Sequence, residues 1–493
     1  MLDIVFVHAN SSQLVYQGLA KDHAAIEPPI WAYLLHNHCM TRHINSAVLD
    51  CEVYQLSDDR CIEALEGHRT RIVCFVVYGQ QPSASSQNME GALRLAKRIK
   101  EADLNTKILF VGGHVSALPQ EVLSHDCVDM VCQNEGVYTV SNLVMCLRSN
   151  GSLSKVAGLG YKEEGCVVLN PLSKIVPTKR LDYDLPMPRI VDYSGYRTAG
   201  WHSWSNNSEK SPFASIYTSL GCPFRCSFCM INVINKSVGT TKCNIYRKWS
   251  VEHVMAQLDW LAKIGIKNLK IADELFVYDP KHFLQICKEI IKRGYKFNIW
   301  CYARVDTCSP IYLEIMKKAG INFIGLGIES GDKKVRKDVV KGGFQDTSIE
   351  DIVYNIHNAG IEVGANYIFG LPEDDMESMQ HTLALSIKLN TSMANFYCAM
   401  AYPGSQLYTE AIAKGISLPT TYSGFSQHSY DIQPLSSNYL TAEQVLMFRD
   451  SAWTKFHSRP EYLAMLETKF GTAAKDNVEA TLKVKLKRKI LGD

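Results

Sequence analysis

Two blocks of alternating strand and helix patterns, parted by a proline-rich stretch, leave this chain few folds to choose from. In the first block the apolar runs 4–7, 47–53, 72–77, 108–111 and 128–132 read as strands, and segments such as 30–43 and 89–102 carry helical periodicity. That alternation predicts a parallel, doubly wound α/β sheet whose ligand crevice lies beyond the carboxyl ends of its strands. The pattern resumes between Ser211 and about Thr409. Strands are expected there at 213–220, 268–272, 297–303, 323–328, 362–369 and 395–399, with helices such as 251–264 and 280–292 between them. This block reads as an incomplete parallel barrel, a partial (β/α)6, with its chemistry at the strands' carboxyl ends.

At 493 residues the chain has room for two or three domains. The expected division is a Rossmann-like domain over 1–150, a linker over 151–210, the barrel over 211–409 and a small, mainly helical C-terminal domain over 410–493. A formal net charge of +2 offers no bulk-charge argument for a nucleic-acid partner. The first residues, Met-Leu-Asp-Ile-Val-Phe-Val, read as a strand and not as a signal peptide, and no apolar run approaches bilayer length. The 16 cysteines are scattered, several inside apolar runs (Cys74, Cys132, Cys301), which points to reduced, buried thiols and a cytoplasmic protein.

One cysteine group is different. Residues 221–230 read Gly-Cys-Pro-Phe-Arg-Cys-Ser-Phe-Cys-Met, so Cys222, Cys226 and Cys229 stand in C-x3-C-x2-C spacing just after a strand. Thiolates are soft ligands suited to iron–sulfur clusters or zinc. A structural zinc site takes four ligands, and Cys243 is the nearby candidate for a fourth. A [4Fe–4S] cube normally takes four cysteines as well. Three on a tight loop suggest a cube with one iron left open to a substrate or cofactor.

Other strand ends carry marked residues. In the barrel block they are Asp273-Glu274, Arg304-Val-Asp306, Glu329-Ser330 and Gly370-Leu-Pro-Glu373. In the first block, run 72–77 is followed by Tyr-Gly-Gln-Gln-Pro-Ser-Ala-Ser-Ser (78–86), a small-residue loop that a flat ligand can approach closely. Run 108–111 is followed by Gly-Gly-His-Val-Ser-Ala-Leu-Pro (112–119), and run 128–132 by Gln-Asn-Glu-Gly (133–136).

The cysteine loop resembles the signature of the radical S-adenosylmethionine (SAM) superfamily, C-x3-C-x-aromatic-C, with Phe228 in the aromatic place. The resemblance implies a [4Fe–4S] cluster on Cys222, Cys226 and Cys229 whose open iron chelates SAM. It also implies cleavage of SAM to methionine and a 5′-deoxyadenosyl radical. Gly-Leu-Gly-Ile-Glu-Ser-Gly (325–331), with Lys341-Gly342 after it, resembles the family strand whose Glu and Ser face SAM, here Glu329 and Ser330. Ile-Phe-Gly-Leu-Pro (368–372), containing Gly370, resembles the strand beside the adenine, and Asp273-Glu274-x-Phe276 resembles the strand end near SAM. Met230 matches the position whose backbone binds the adenine edge. Arg304 is the expected partner of the SAM carboxylate, since a guanidinium fork matches that geometry.

Residues 112–119 and 134–136 resemble the cobalamin-binding domain that precedes the barrel in one branch of that superfamily. Here the family's extra residue between Gly-Gly and His is absent, and Gln133-Asn134 stands where Arg-Gly is common. The resemblance implies cobalamin contacts at Gly79, Gln80, Gln81, Ser83, Ser85, Gly112, Gly113, His114, Glu135 and Gly136. The motif Asp-x-His-x-x-Gly, with which other cobalamin proteins ligate cobalt, does not occur. His114 is therefore expected in the pocket near the nucleotide tail, and the 79–86 loop over the lower face of the corrin without a bond to cobalt.

The connector holds an expected hairpin (158–169), four prolines, and the aromatics Tyr193, Tyr196, Trp201 and Trp204, which either line the cofactor cleft or pack the linker on the barrel. Helices are expected at 441–457 and 460–466, and the basic tail 483–489 reads as a solvated terminus. The resemblance as a whole implies a cobalamin-dependent radical SAM methyltransferase acting on a carbon of a small, natural-product-type substrate through methylcobalamin. A flavodoxin- or ferredoxin-type protein is the implied reductant, with neither nucleic acid nor membrane as partner. The alternative is a non-methylating enzyme with the same cofactors, catalysing a cyclisation, ring contraction or oxidation.

Overall fold

The computed structural model describes residues 2–79, 82–190, 192–234, 245–339 and 348–493. Gln80, Gln81, Cys243 and the Lys341-Gly342 pair lie outside the described residues.

The first sheet contains β1 (Ile4–His8), β2 (Ser46–Asp50), β3 (Ile72–Val77), β4 (Lys107–Gly112) and β5 (Met130–Cys132), all parallel, in the order β2-β1-β3-β4-β5. This is the flavodoxin-like doubly wound order, with its switch point between β1 and β3. Strand residues alternate between two cores. Ile4 and Phe6 join Leu34 and Leu35 of the helix Ile30–Thr41, whereas Val5 and Val7 join Met89, Leu95 and Ile99 of the helix Ser85–Glu101. Each such buried side chain contributes roughly 1.5–3 kcal/mol relative to exposure.

The hairpin expected in the connector belongs to this sheet. β6 (Leu159–Glu163) pairs antiparallel with β5, and β7 (Cys166–Leu169) pairs with β6. The sheet therefore runs past residue 150, because Leu159 and Tyr161 share a core with Met130 and Cys132.

The expected strand 213–220 is broken in two. β8 (Phe213–Ile216) stays in the barrel, while β9 (Ser219–Leu220) pairs antiparallel with β10 (Arg247–Lys248). β11 (Asn268–Ile271), β12 (Asn298–Arg304), β13 (Ile321–Glu329), β14 (Glu362–Phe369) and β15 (Met393–Cys398) complete a parallel sheet ordered β8-β11-β12-β13-β14-β15. The outer helices show why this segment alternates. In Pro280–Arg293, Asp279 accepts the Lys281 N–H at 3.1 Å, Pro280 opens the helix, and Gly294 (φ +69°) ends it. Phe283, Ile286, Cys287 and Ile290 form its buried stripe.

Trp201 and Trp204 pack on the barrel block and the C-terminal region. Trp201 lies 5.1 Å from Trp300 and 5.4 Å from Phe323, and its neighbour His202 meets the carbonyl of Asn298, the first residue of β12. Trp204 packs on Phe470. The C-terminal region holds the helices Ala442–His457 and Pro460–Phe470 and a third, Thr472–Leu482, absent from the sequence reading. The tail is not a loose terminus: Arg488 is 2% exposed, with Nε and Nη2 on Asp450 at 3.0 and 3.1 Å, while Lys483, Lys485 and Lys487 point outward. A buried guanidinium must be paired and hydrogen-bonded, and that requirement docks the tail. Among the described residues no helix is long and apolar enough to cross a membrane.

Candidate functional site

The cysteine loop leaves β9 under the control of two neighbouring carboxylates. Asp273 is fully buried and accepts the Thr218 N–H at 2.6 Å, the Thr218 hydroxyl at 2.5 Å and the Ser219 hydroxyl at 2.6 Å. Glu274 accepts the N–H of Gly221, the residue before Cys222, at 3.0 Å. Burial pushes the Asp273 carboxyl up to about 6 and that of Glu274 up to about 7, against hydrogen bonds that hold them down. Both residues, expected to face SAM, are engaged in bracing the turn into the loop. Arg304 is held in a similar way. Its fork grips Asp306 at 2.9 and 2.7 Å, and its guanidinium lies 3.5 Å from the ring centroid of Phe224, inside the loop. A carboxylate two residues away supplies the bidentate partner, so Arg304 clamps the loop by cation–π contact.

Cys222, Cys226 and Cys229 are half-buried on this loop. Burial pushes the Cys222 thiol up to about 11 and the Cys229 thiol up to about 12, with Cys226 adding to both rises and Cys222 to that of Cys229. The three therefore lie within electrostatic reach of one another. Among the described residues no three such side chains converge on a single metal position, whereas a cube needs each thiolate on a different iron. Three soft donors on one tight loop fit such a group. Phe228 packs between two apolar clusters, one with Val335, Ile368 and Leu371 and one with Ala401 and Leu407. The aromatic place is thus the loop's anchor in the barrel.

Across the barrel mouth, Glu329 ends β13 with φ +68°, 6% exposed, at a register shift against β14. A non-glycine residue in that region is strained, and such strain concentrates at functional positions. The Ser330 hydroxyl meets the Thr382 hydroxyl at 3.1 Å and accepts the Asp332 N–H at 3.1 Å, so it shapes the turn. Gly370 has φ +77°, and a Cβ there would lie 2.5 Å from Val445.

The crevice of the first sheet meets the cysteine loop directly. A Cβ on Gly113 would lie 2.8 Å from the Met230 methyl and 3.3 Å from Ser85 Cβ. A Cβ on Gly112 would lie 2.2 Å from the Val77 carbonyl oxygen, and one on Gly79 2.6 Å from Ala84. Gly79 and Gly112 keep the crevice loops in close backbone approach, with Ser83 half-buried on the turn Pro82–Ala84. Ser85 donates to the Val77 carbonyl and accepts the His114 N–H at 2.9 Å. Both His114 ring nitrogens are engaged, Nδ1 with the Ser86 hydroxyl and Nε2 with Glu121, each at 2.9 Å. Glu121 in turn accepts from Tyr422 of the C-terminal region. Glu135, expected at cobalamin, pairs with Arg247 of β10 at 2.9 Å and accepts the Val176 N–H. Both side chains are nearly fully buried, and a buried carboxylate without a charge partner is costly. Glu135 therefore ties the first sheet to the barrel. Gly136 (φ +76°) opens the helix Val137–Arg148 with Val111 2.6 Å from where its Cβ would sit.

Between crevice and barrel lies a group of side chains that the sequence reading missed. Lys270, in the middle of β11, pairs with Glu27 at 2.9 and 3.0 Å, and its ammonium stands 4.9 Å from the Trp300 ring and 5.7 Å from the Tyr302 ring. The signal was a lysine inside the apolar run Asn-Leu-Lys-Ile. His8 at the end of β1, Tyr16 and Glu52 beyond β1 and β2, and Tyr302, Tyr397 and Tyr402 of the barrel block are half-buried. Glu52 and Glu27 both act on the Tyr16 phenol, Glu27 on that of Tyr302, and Glu329 on that of Tyr397, so these groups of the two blocks lie within electrostatic reach of one another.

Comparison with known proteins matches residues 18–144 to the B12 binding domain and residues 216–385 to the Radical SAM superfamily. An uncharacterised methyltransferase of Pyrococcus horikoshii is 27% identical over 77% of this chain and 79% of its own length. The anaerobic magnesium-protoporphyrin IX monomethyl ester cyclase of Rubrivivax gelatinosus is 23% identical over 83% of this chain and 69% of its own. Among solved structures, the radical SAM methyltransferase TsrM of Kitasatospora setae, with cobalamin and a [4Fe–4S] cluster bound, superposes with a TM-score of 0.70, covering 98% of this chain and 99% of that one at 15% identity. A second TsrM structure holds tryptophan substrate and a SAM analog.

Proposed function

We infer that this chain, a radical SAM enzyme with an N-terminal B12-binding domain, is a cobalamin-dependent methyltransferase acting on a carbon of a small molecule. The observation that carries the reading is the contact of Met230, next to the last loop cysteine, with Gly113 in the first sheet's crevice. A methyl donor and a radical source must reach one substrate, and that contact supports two sites lying side by side. When bound, SAM on the cluster supplies a hydrogen-abstracting 5′-deoxyadenosyl radical and cobalamin supplies the methyl group.

The protein's own share is positional. Cys222, Cys226 and Cys229 would hold the cluster, with Asp273, Glu274 and Arg304 fixing the loop that presents them. Glu329 and the backbones of Met230 and Gly370 would orient SAM. Gly79, Gly112 and Gly113 would admit the corrin, and His114, with both nitrogens engaged, would hold the crevice loop without reaching cobalt. The half-buried Tyr16, Tyr302 and Tyr397 would help to keep water from the radical. A flavodoxin- or ferredoxin-type reductant, a cytoplasmic location and a natural-product-type substrate complete the proposal.

The test is a count of by-products. With reconstituted enzyme and substrate, 5′-deoxyadenosine and S-adenosylhomocysteine should accumulate in step, and a deuterated SAM methyl should appear in the product. The similarity to a cyclase favours one second reading, a non-methylating reaction with the same cofactors. Substrate-dependent 5′-deoxyadenosine without methyl label would replace the first reading with that one.

A further inference from the structure

We infer that Tyr422, in the C-terminal region, is a positioning residue of the cobalamin crevice: through Glu121 it holds His114 in place and so sets how tightly cobalamin is kept. The inference rests on the reading of that crevice as the cobalamin site, and not on whether a methyl group is transferred.

Tyr422 lies outside both stretches matched to known families, 18–144 and 216–385. By contact it belongs to the first sheet all the same. Its ring packs against the core cluster that contains Met89, Val115 and Val122, and it meets the His114 ring edge-on at 5.2 Å. Four residues on, the Ser426 hydroxyl donates to the Val15 carbonyl at 2.8 Å. The segment between them therefore clasps the first block at two points.

The hydrogen bonds form one directed chain. His125 Nε2 lies 2.8 Å from the Tyr422 hydroxyl, that hydroxyl bonds Glu121 Oε1, and Glu121 Oε2 lies 2.9 Å from His114 Nε2. His114 Nδ1 meets the Ser86 hydroxyl at 2.9 Å, and the His114 backbone N–H donates to Ser85 Oγ at the same distance. Burial raises the Glu121 carboxyl, but the bonds from His114 and Tyr422 outweigh it and hold the group below its ordinary range. An ionised carboxylate only accepts, so the Tyr422 O–H and the His114 Nε2–H both donate to it. That leaves His114 Nδ1 to accept from Ser86 and the Tyr422 oxygen to accept from His125. One His114 tautomer satisfies every member.

Glu121 cannot fix His114 alone. Its side chain is 41% exposed on the short helix Pro119–Ser124, whereas that of His114 is 2% exposed. A half-exposed glutamate held by a single bond keeps much of its rotamer freedom and shares its partner with water. His125 stands 3.7 Å from Glu121 Oε1, outside hydrogen-bond reach, so the second donor is Tyr422. His114 follows the Gly112-Gly113 pair, and a freed His114 side chain frees the backbone that would admit the cofactor.

The experiment is titration of the cluster-reconstituted full chain with hydroxocobalamin, read by absorbance after equilibrium dialysis. Tyr422→Phe keeps the ring and removes only the hydroxyl. It should raise the dissociation constant about tenfold, the worth of one charge-assisted hydrogen bond, with iron–sulfur absorbance at the wild-type level. In a His114→Ala background the same substitution should add less than about twofold, because its effect runs through His114. Glu121→Gln offers one accepting oxygen to two donors. It should behave like Tyr422→Phe in both backgrounds, and it carries the test if that variant fails to fold. An unchanged dissociation constant, a full effect that persists in His114→Ala, or an equal loss of cluster would overturn the assignment. The first two results leave the crevice standing as the cobalamin site. Wild-type protein that keeps no hydroxocobalamin would remove that reading and the assignment together.

Discussion

The cysteine loop and the crevice loops touch at Met230 and Gly113, yet they are held by different physics. The cysteine loop is braced by charge: buried Asp273 on Thr218 and Ser219, Glu274 on Gly221, and the Arg304 guanidinium on Phe224. The crevice loops are braced by shape, through close backbone approaches at Gly79 and Gly112 that a Cβ would not permit. The buried Glu135–Arg247 pair is the seam between them. A charge-braced loop should answer to pH and to neutral isosteres, and a shape-braced one to added volume.

The largest expected effect lies on the charged side. Replacing Cys222, Cys226 or Cys229 with Ala should abolish the broad iron–sulfur absorbance and all SAM cleavage, while Cys301→Ala and Cys243→Ala should leave both. Loss of the cluster in Cys243→Ala would show that the ligand set is wrong. Next comes the seam. Arg247→Met leaves Glu135 buried without its partner and should cost about 3–5 kcal/mol in chemical denaturation, whereas adding Glu135→Gln should recover most of it.

A crossed pair then tests the comparison itself. Asp273→Asn offers the Thr218 N–H an amide that can be donor as well as acceptor, and should cost about 1–3 kcal/mol and lower cluster content while cobalamin stays bound. Gly112→Ala pushes a methyl into the Val77 carbonyl and should cost a similar ~1–3 kcal/mol, lowering cobalamin content while the cluster stays. Equal loss of both groups in either variant would dissolve the distinction.

The smallest effect is on pH. Asp273 and Glu274 have native pKa values raised to about 6 and 7, so the native state binds protons that the unfolded chain releases between about pH 4 and 7. Their stabilising share is whole below that window and lost as pH rises through it. His8, raised to about 9 by Asp50 and Glu52 against its own burial, contributes below 6.5 and loses that share as pH rises through 9. All three have the same sign. The melting temperature of cofactor-free protein should therefore fall by a few degrees between pH 6 and 9, with a shallower slope in Asp273→Asn.

Much of the fold was legible locally. Strand and helix periods are written in neighbouring residues, so β3 and β14 have the bounds that the apolar runs predict, and the three-cysteine loop names its own chemistry by ligand softness and count. Residue type alone could not say which strand-end charges face a cofactor and which brace a loop. Asp273, Arg304 and Glu135 look like site residues in sequence and find their partners in Thr218, Phe224 and Arg247 only when the chain is folded. The hairpin of β6 and β7 reads the same as linker or sheet edge until the core that Leu159 shares with Met130 is known. Lys270 is farthest from sequence reasoning. Its partner Glu27 lies 243 residues away in another domain, and nothing local says that a lysine in an apolar strand will meet a carboxylate there. Periodicity and ligand chemistry are properties of short segments and were determined by the sequence. Burial and charge pairing depend on segments distant along the chain, and the tertiary structure alone decided them.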